Sequence, residues 1–245
     1  MMQFKDKICV VTGASKGIGA AIAAAYIEAG AKGVALFGRG EAAVKEMALS
    51  LDPTGERTLG VKCDVGDEAS VQAAFAEVYA KFGRVDVLVN NAGFTKDSLF
   101  HKMTAEQFID VMNVHVNGTF YCTKQVIAGM REQGYGRIVN MSSMSAYGNP
   151  GQANYSAAKA GIMGMTKTLA MEVASKGITV NCVAPGLTNT DIVSSIPDKV
   201  MEALINAIPM KRIAEVKEIS DIVLFLTSEE CSYVSGQCID AAGGQ

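Results

Sequence analysis

The chain has 245 residues, of which 49% are hydrophobic and 19% charged, and its formal net charge is −3. This composition excludes a disordered chain, and the scattered charges argue against a nucleic-acid-binding surface. The N-terminal "MMQFKDKICVVTG" has too few apolar residues for a signal sequence, and no long apolar run follows, so we expect a cytosolic protein without membrane contact.

Short β-branched runs alternate with longer helical patterns along the whole chain. They predict seven strands: residues 8–13, 33–38 and 60–65, "VDVLVNNAG" from 85, "GRIVNMSS" from 136, "ITVNCVAPG" from 178, and the C-terminal "GQCIDAAGG". Unbroken apolar runs are typical of parallel strands covered on both faces, and the helical stretches supply the crossovers. Length allows one or two domains, but no linker or repeat divides the chain. We therefore predict one α/β domain over residues 1–245, with a doubly wound, seven-stranded parallel sheet.

Two segments carry more individual signals. Residues 67–83, "DEASVQAAFAEVYAKFG", begin with acidic residues, space large apolar residues for one face and end at a glycine, which predicts an amphipathic helix. The stretch from Leu187 to Met210 contains two prolines and has weak periodicity. We interpret this stretch as a mobile segment over the substrate site.

Cysteine and histidine usage argues against a metal centre. Six cysteines are spread along the chain without a C-x-x-C pair, and His101 and His115 are the two histidines. Most of the cysteines are expected to be buried thiols that pack as small hydrophobic side chains. We predict no structural metal.

A glycine-rich turn follows the first predicted strand. In "TGASKGIGAAIAAAYIEAG", Gly13, Gly17 and Gly19 open an alanine-rich helix, whose N-terminus favours negative charge and lets a pyrophosphate approach the backbone amides. The spacing G-x-x-x-G-x-G is neither G-x-G-x-x-G nor a P-loop. A strand-to-helix turn without a ligand is the alternative interpretation.

Four motifs together resemble those of the short-chain dehydrogenase/reductase family, in the family's order and over essentially the whole chain. They are "TGASKGIG" at 12–19, "NNAG" at 90–93, "YSAAK" at 155–159 and "APGLTNTDI" at 184–192. The resemblance implies a Rossmann fold, an NAD(P)-dependent oxidoreductase and a set of cofactor-binding residues. That set is Gly13, Ser15, Lys16, Gly17, Ile18, Gly19, Asp64, Val65, Asn91, Ala92, Gly93, Tyr155, Lys159, Pro185, Gly186, Thr188 and Thr190.

The end of the second strand indicates which nicotinamide cofactor is used. An acidic residue there would hydrogen-bond a ribose 2′-hydroxyl, whereas an arginine accommodates a 2′-phosphate. The chain has "LFGRGEA", with Arg39 at this end and no Asp beside it, and Lys16 adds positive charge in the glycine loop. We therefore predict NADPH. The alternative is that both residues are solvated surface cations.

Tyr155 and Lys159 stand four residues apart, which places them on one helix face. A nearby ammonium stabilises a phenolate, so we expect Lys159 to lower the pKa of Tyr155 and make the phenol usable in proton transfer. Small neighbours (Ala157, Ala158, Ala160 and Gly161) would let the helix approach the cofactor. A surface Tyr–Lys pair is the alternative. The resemblance implies that Tyr155 is the proton donor and that Lys159 holds the nicotinamide ribose.

The family's carbonyl-polarising serine has two candidates. Counted forward from the preceding strand it is Ser143, and counted back from Tyr155 it is Ser142, because the loop is one residue shorter than usual. We choose Ser143, since strand geometry fixes which face a side chain occupies and a loop can absorb a deletion.

The family's helix asparagine is replaced by His115 when "DVMNVHVNGTFYCTKQ" is anchored on Gly118 and Phe120. Asn117 lies two residues away, on another side of the helix. His115 is therefore a candidate catalytic residue that supports proton relay through a ring nitrogen or its carbonyl. A packed, satisfied histidine is the alternative.

The segments "NNAGFTKDSLFHKMTAEQF" and "TKQVIAGMREQGYGRIVN" resemble the 3-oxoacyl-carrier-protein reductases and acetoacetyl-CoA reductases of this family. The resemblance implies reduction of a 3-oxoacyl thioester, with Ser143, Gln152 and Tyr155 facing the substrate, and a homotetramer. Basic side chains that could grip a carrier are Lys96, Lys102, Arg131 and Arg137, although surface charge is the simpler interpretation. The alternatives are a reductase of another ketone or secondary alcohol, and a cofactor-sensing protein without turnover.

Overall fold

One sheet of seven parallel strands forms the centre of the computed structural model, which describes residues 3–190 and 197–245. The strands are β1 (Ile8–Thr12), β2 (Gly33–Gly38), β3 (Thr58–Lys62), β4 (Val87–Asn90), β5 (Gly136–Met141), β6 (Ile178–Pro185) and β7 (Cys238–Ala241). Their order is β3-β2-β1-β4-β5-β6-β7, and each neighbouring pair is parallel. The predicted α/β fold is confirmed.

Helices connect the strands and cover the sheet. They are α1 (Gly17–Glu28), α2 (Glu41–Leu51), α3 (Glu68–Phe82), α4 (Ala105–Met112), α5 (Gly118–Gln133), α6 (Ala153–Val173), α7 (Asp198–Ala207) and α8 (Val216–Thr227). A π-helical turn, Asn113–Asn117, joins α4 to α5. Within the two described ranges, no helix is long and apolar enough to cross a bilayer.

The hydrophobic core lies on both faces of the sheet. On one face Ile22 and Tyr26 of α1 pack near Val223 of α8, and on the other Phe75 of α3 packs near Met130 of α5. Every residue of β1, β2, β5 and β6 is buried between these layers. The unbroken apolar runs in the sequence reflect this double coverage.

The ends of α3 show how local sequence sets a helix boundary. The Asp67 carboxylate accepts a hydrogen bond from the amide of Ala69 at 3.2 Å, which caps the first turn. Gly83 ends the helix with φ 77°, a left-handed conformation that glycine adopts without steric cost. The helix predicted over residues 67–83 is confirmed.

Two elements differ from their sequence predictions. β3 begins at Thr58 and ends at Lys62, earlier than the predicted 60–65, so Asp64 and Val65 lie in the loop after it. The segment from Leu187 to Met210 contains α7, which the two prolines obscured. The pair Pro197–Asp198 is a helix-start signal that the sequence interpretation missed. The predicted mobility of this segment stays a prediction, and its residues 191–196 lie outside the described part.

Candidate active site

The site forms where the strand order reverses, between β1 and β4. The backbone amides of Asn91 and Ala92 each donate to the Thr12 hydroxyl at 2.9 Å, and the Asn91 side chain donates to the Thr12 carbonyl at 2.9 Å. These bonds hold the "NNAG" loop against the glycine loop at the carboxyl ends of the strands, where α/β proteins bind ligands. Thr12 was missed in the sequence analysis, and its signal was only its place at the end of an apolar strand.

The glycine loop fits a pyrophosphate group. Gly13 and Gly17 have φ values of 64° and 60°, and a Cβ on Gly13 would lie 2.7 Å from the Ala92 Cα. The first turn of α1 contains no acidic residue, and Lys16 at its N-cap gives no side-chain cap. The amides of this turn, contributed by Gly17, Ile18 and Gly19, therefore suit an anion.

At the predicted adenosine end, Arg39 is exposed directly after β2, with its guanidinium carbon 5.8 Å from the centre of the Phe94 ring. Ser15 lies close by, since a Cβ on Gly38 would be 3.7 Å from the Ser15 Cβ. The nearest following acidic residue in the chain, Glu41, pairs with Lys45 at 2.7 Å. Arg39 therefore places a positive charge at the end of β2.

The remaining predicted cofactor residues lie around the same cleft. Asp64 is exposed and accepts the Gly66 amide at 3.0 Å, whereas the Val65 side chain is buried against Gly118. After β6, the Thr188 hydroxyl donates to the Gly186 carbonyl at 3.1 Å. Pro185, the last residue of β6, is buried, and the Thr190 methyl group lies 3.7 Å from a Cβ built on Gly17.

Tyr155 and Lys159 share one face of α6, as the spacing predicts. The Lys159 ammonium nitrogen lies 5.4 Å from the centre of the Tyr155 ring and donates to the Met141 carbonyl at 2.5 Å. Lys159 is buried, and burial lowers its pKa to about 8, against a smaller raising effect of the nearby Cys182. The pair lies beside β5 and β6, next to the cleft.

The expected lowering of the Tyr155 pKa is wrong. Burial raises the pKa of Tyr155 above its ordinary value, while a hydrogen bond with the Ser143 side chain lowers it by less and the negative charge of Asp97 raises it further. The sequence gives the spacing of Tyr155 and Lys159 but not the loss of solvent around the phenol or the turn of the ammonium toward Met141. The phenol therefore holds its proton at neutral pH.

The two candidate serines point in different directions. Ser143 begins the short 3₁₀ turn after β5, and its hydroxyl neighbours both the Tyr155 phenol and the Ser145 amide, at 3.2 Å from the latter. Ser142 is buried and donates to the Lys159 carbonyl at 3.0 Å. The hydroxyl on the Tyr155 side is therefore that of Ser143, and its catalytic role stays a prediction.

His115 lies in the π-helical turn and packs edge-on against Tyr155, with ring centres 5.1 Å apart. Its Nε2 is 2.8 Å from the Phe94 carbonyl, and its own carbonyl accepts the Thr119 hydroxyl at 2.7 Å. In the described residues its buried Nδ1 has no partner. Burial, with a smaller effect of Lys159, lowers the pKa of His115 to about 3, so the ring is neutral. These contacts occupy the carbonyl and one ring nitrogen, and leave Nδ1 as the atom open to a relay.

The rim of the site contains Gln152 and one side chain that the sequence analysis did not single out. Gln152, the predicted substrate residue, is partly exposed and donates to Asp97 at 2.9 Å. Asn154 is buried, donates to the carbonyls of Lys96 and Gln107, and accepts the Tyr155 amide at 2.8 Å. Asn154 thus ties the start of α6 to two neighbouring segments and fixes Tyr155.

The small residues of α6 differ in exposure, and the predicted basic contacts to a carrier are corrected in part. Ala157, Ala160 and Gly161 are exposed, and their role in letting α6 approach the cofactor stays a prediction, whereas Ala158 is buried. Arg137 is also buried, bound to the Gly136 and Gly177 carbonyls at the amino end of β5, and cannot grip a carrier. Arg131 lies in the last turn of α5, which leads into the amino end of β5 and so lies away from the cleft.

No group of three or more metal-ligating side chains converges within the described ranges.

Gly93 has a structural role of its own, because a Cβ there would overlap the His115 ring. This close approach brings the "NNAG" loop against the π-helical turn and so against Tyr155.

Comparisons with known proteins extend over nearly the whole chain. A family model described as enoyl-(acyl carrier protein) reductase matches residues 13–245. Acetoacetyl-CoA reductase of Shinella zoogloeoides is 46% identical over 242 residues, covering 98% of each chain. Acetoacetyl-CoA reductase of Rhizobium meliloti is 43% identical, with 98% of each chain covered. The 3-oxoacyl-(acyl-carrier-protein) reductase of Escherichia coli is 40% identical, covering 99% of this chain and 98% of the relative.

Proposed function

The chain belongs to the short-chain dehydrogenase/reductase family, and from this premise we propose that it reduces a 3-oxoacyl thioester to the 3-hydroxyacyl thioester with NADPH. The main observation in support of this proposal is that Tyr155, Ser143 and Lys159 lie together beside the cleft at the carboxyl ends of the strands. The names of the relatives, which are reductases of acetoacetyl-CoA and of 3-oxoacyl-carrier substrates, support the choice of a thioester.

The proposed reaction assigns a distinct task to each side chain. A bound reduced nicotinamide would supply the hydride. Tyr155, whose raised pKa keeps the phenol protonated, gives its proton to the oxygen of the reduced carbonyl, because an alkoxide is a much stronger base than a phenolate. Ser143 donates a hydrogen bond to the same oxygen and stabilises its developing charge. Lys159, with a pKa of about 8, keeps a positive charge beside the phenol at neutral pH.

The preference for NADPH rests on charge at the end of β2. Arg39 is exposed there, and the nearest following carboxylate, that of Glu41, is already paired with Lys45. A guanidinium binds a phosphate with two parallel hydrogen bonds. Lys16 stands at the N-cap of α1 and adds positive charge on the same side.

Replacing Arg39 with alanine should weaken NADPH binding by about tenfold to a hundredfold, the value of a hydrogen bond to a charged group, and leave NADH binding unchanged. Titration of the purified protein with each cofactor, followed by nicotinamide fluorescence, gives both dissociation constants. Arg131→Ala is the matched control, because Arg131 is exposed near the amino ends of the strands, opposite the cleft. Equal weakening of both cofactors in the Arg39 variant would contradict a role in reading the 2′-phosphate.

We propose that the acyl chain of the substrate lies against Gln152 and the segment after β6. Lys96 and Lys102 belong to the loop after β4, at the same end of the strands as Tyr155, although Lys96 is paired with Asp110 at 2.5 Å.

We also propose a cytosolic homotetramer. Exposed apolar side chains on α8 and β7, including Phe225 and Ile239, support association through this edge of the sheet.

A cofactor and substrate panel tests the proposed function. We expect NADPH oxidation with acetoacetyl-CoA and with a 3-oxoacyl carrier protein, and much slower oxidation with free ketones, sugars or steroids. NADH should be the poorer reductant with every substrate. Faster turnover of a free ketone would replace the thioester assignment, and tight NADPH binding without turnover of any carbonyl would indicate a cofactor-sensing protein.

A further inference from the structure

Cys182 and Cys238 face each other across two neighbouring parallel strands. They are register partners in β6 and β7, and the Cys182 amide donates to the Gln237 carbonyl at 2.8 Å. Their sulfur atoms are 3.0 Å apart, with the Cys238 thiol donating to the Cys182 sulfur. Neighbouring strands lie about 4.8 Å apart, which is within the Cα separation that a disulfide spans.

This pair differs from the other cysteines of the chain. Cys63 and Cys122 are buried, and burial raises the pKa of both thiols. Cys238 is partly exposed, so a small molecule can reach one sulfur of the pair while the other is buried behind it. Among the described residues, no second pair of cysteine sulfurs forms a hydrogen bond.

The surroundings favour loss of one proton from the pair. The hydrogen bond from Cys238 lowers the pKa of Cys182, and Ser142 and the charge of Lys159 add to this effect against the cost of burial. The pKa of Cys238 is raised by the same hydrogen bond and by burial, since the two sulfurs share a proton. A thiolate forms more easily here than at an isolated buried cysteine.

We propose that Cys182 and Cys238 are an oxidation site, at which hydrogen peroxide or another small peroxide joins the two sulfurs in a disulfide between β6 and β7. After the pair has lost one proton, Cys238 passes its own proton along the hydrogen bond to the Cys182 sulfur. The Cys238 thiolate formed in this way attacks one peroxide oxygen, and the O–O bond breaks to give a sulfenic acid and hydroxide, which takes up a proton as water. The Cys182 sulfur then attacks the sulfenic sulfur, and the hydroxide that leaves takes the Cys182 proton as a second water. Two thiols are oxidised and one peroxide is reduced.

The site lies next to the catalytic side chains but is independent of the proposed reaction. Cys182 hydrogen-bonds Ser142, which in turn bonds the Lys159 carbonyl at 3.0 Å. Forming the disulfide removes the thiol that lies near the Lys159 charge. Oxidation is measured by the number of free thiols and by mass, and neither quantity depends on substrate or cofactor.

The test treats the purified full chain with hydrogen peroxide under native conditions, removes the peroxide, and then unfolds and alkylates the protein. We expect loss of two of its six thiols and of the mass of two hydrogen atoms, both reversed by dithiothreitol. A non-reduced tryptic map should contain peptide 177–199 joined to peptide 218–245.

Matched variants assign the bond, because peptide 218–245 contains both Cys231 and Cys238. Cys238→Ser should abolish the cross-linked peptide, and Cys231→Ser should retain it. The fragment spectrum of the wild-type peptide locates the bond independently of either variant. Retention of all six thiols, a bond through Cys231, or a bond only between chains would overturn the proposal.

Discussion

Replacing Tyr155 with phenylalanine is expected to reduce turnover of acetoacetyl-CoA by about 10²- to 10⁴-fold, the usual contribution of a positioned general acid. The phenol hydrogen-bonds Ser143 and its pKa is raised, so in the proposed reaction it would carry the proton that the alkoxide needs. The phenyl ring keeps the edge-on contact with His115. NADPH affinity should change far less than turnover.

The matched control for this variant is Tyr147→Phe. Tyr147 stands in the 3₁₀ turn that follows Ser143 and is well exposed. Its hydroxyl donates to Asp240 at 3.2 Å, and the variant loses this hydrogen bond. Its variant should turn over the substrate at the wild-type rate. Steady-state kinetics and thermal unfolding of both variants separate catalysis from stability. Near-normal turnover in the Tyr155 variant, with the fold intact, would remove the proposed proton donor.

The sheet and the cleft could be predicted because they depend on local patterns. Apolar runs such as "ICVVTG" mark strands buried on both faces, and glycines such as Gly13 are required where two loops approach closely. The end of the first strand then fixes where α1 begins and which edge carries the ligand. These features are encoded within a few residues of one another.

The electrostatics of the site depend on contacts between distant segments, so the sequence predicted them poorly. The pKa of Tyr155 is raised because α6 is packed against other segments, and neither the position of Asp97 nor that of Met141 follows from the spacing of Tyr155 and Lys159. Asn154 is hidden in sequence for the same reason, since its partners are the carbonyls of Lys96 and Gln107. Burial is a property of the assembled fold.

The loop after β5 shows both outcomes within two residues. Counting residues left Ser142 and Ser143 as alternatives, and the strand-based count selects the one that neighbours Tyr155. β5 ends at Met141, Ser142 still follows the strand with its amide bonded to the Val183 carbonyl at 2.7 Å, and Ser143 faces the other way. Alternation along an extended segment therefore carried more information than the length of the loop.

Ser143→Ala should lower turnover by about 10²-fold, the effect of removing one donor to a developing oxyanion. Ser142→Ala should leave turnover close to wild type and lower the free energy of unfolding by about 1 kcal/mol, because it loses the buried hydrogen bond to the Lys159 carbonyl. Kinetics with acetoacetyl-CoA and chemical denaturation of the two variants measure both quantities. The adjacent serines thus control for each other, and the reverse order of the two turnover losses would transfer the carbonyl-polarising role to Ser142.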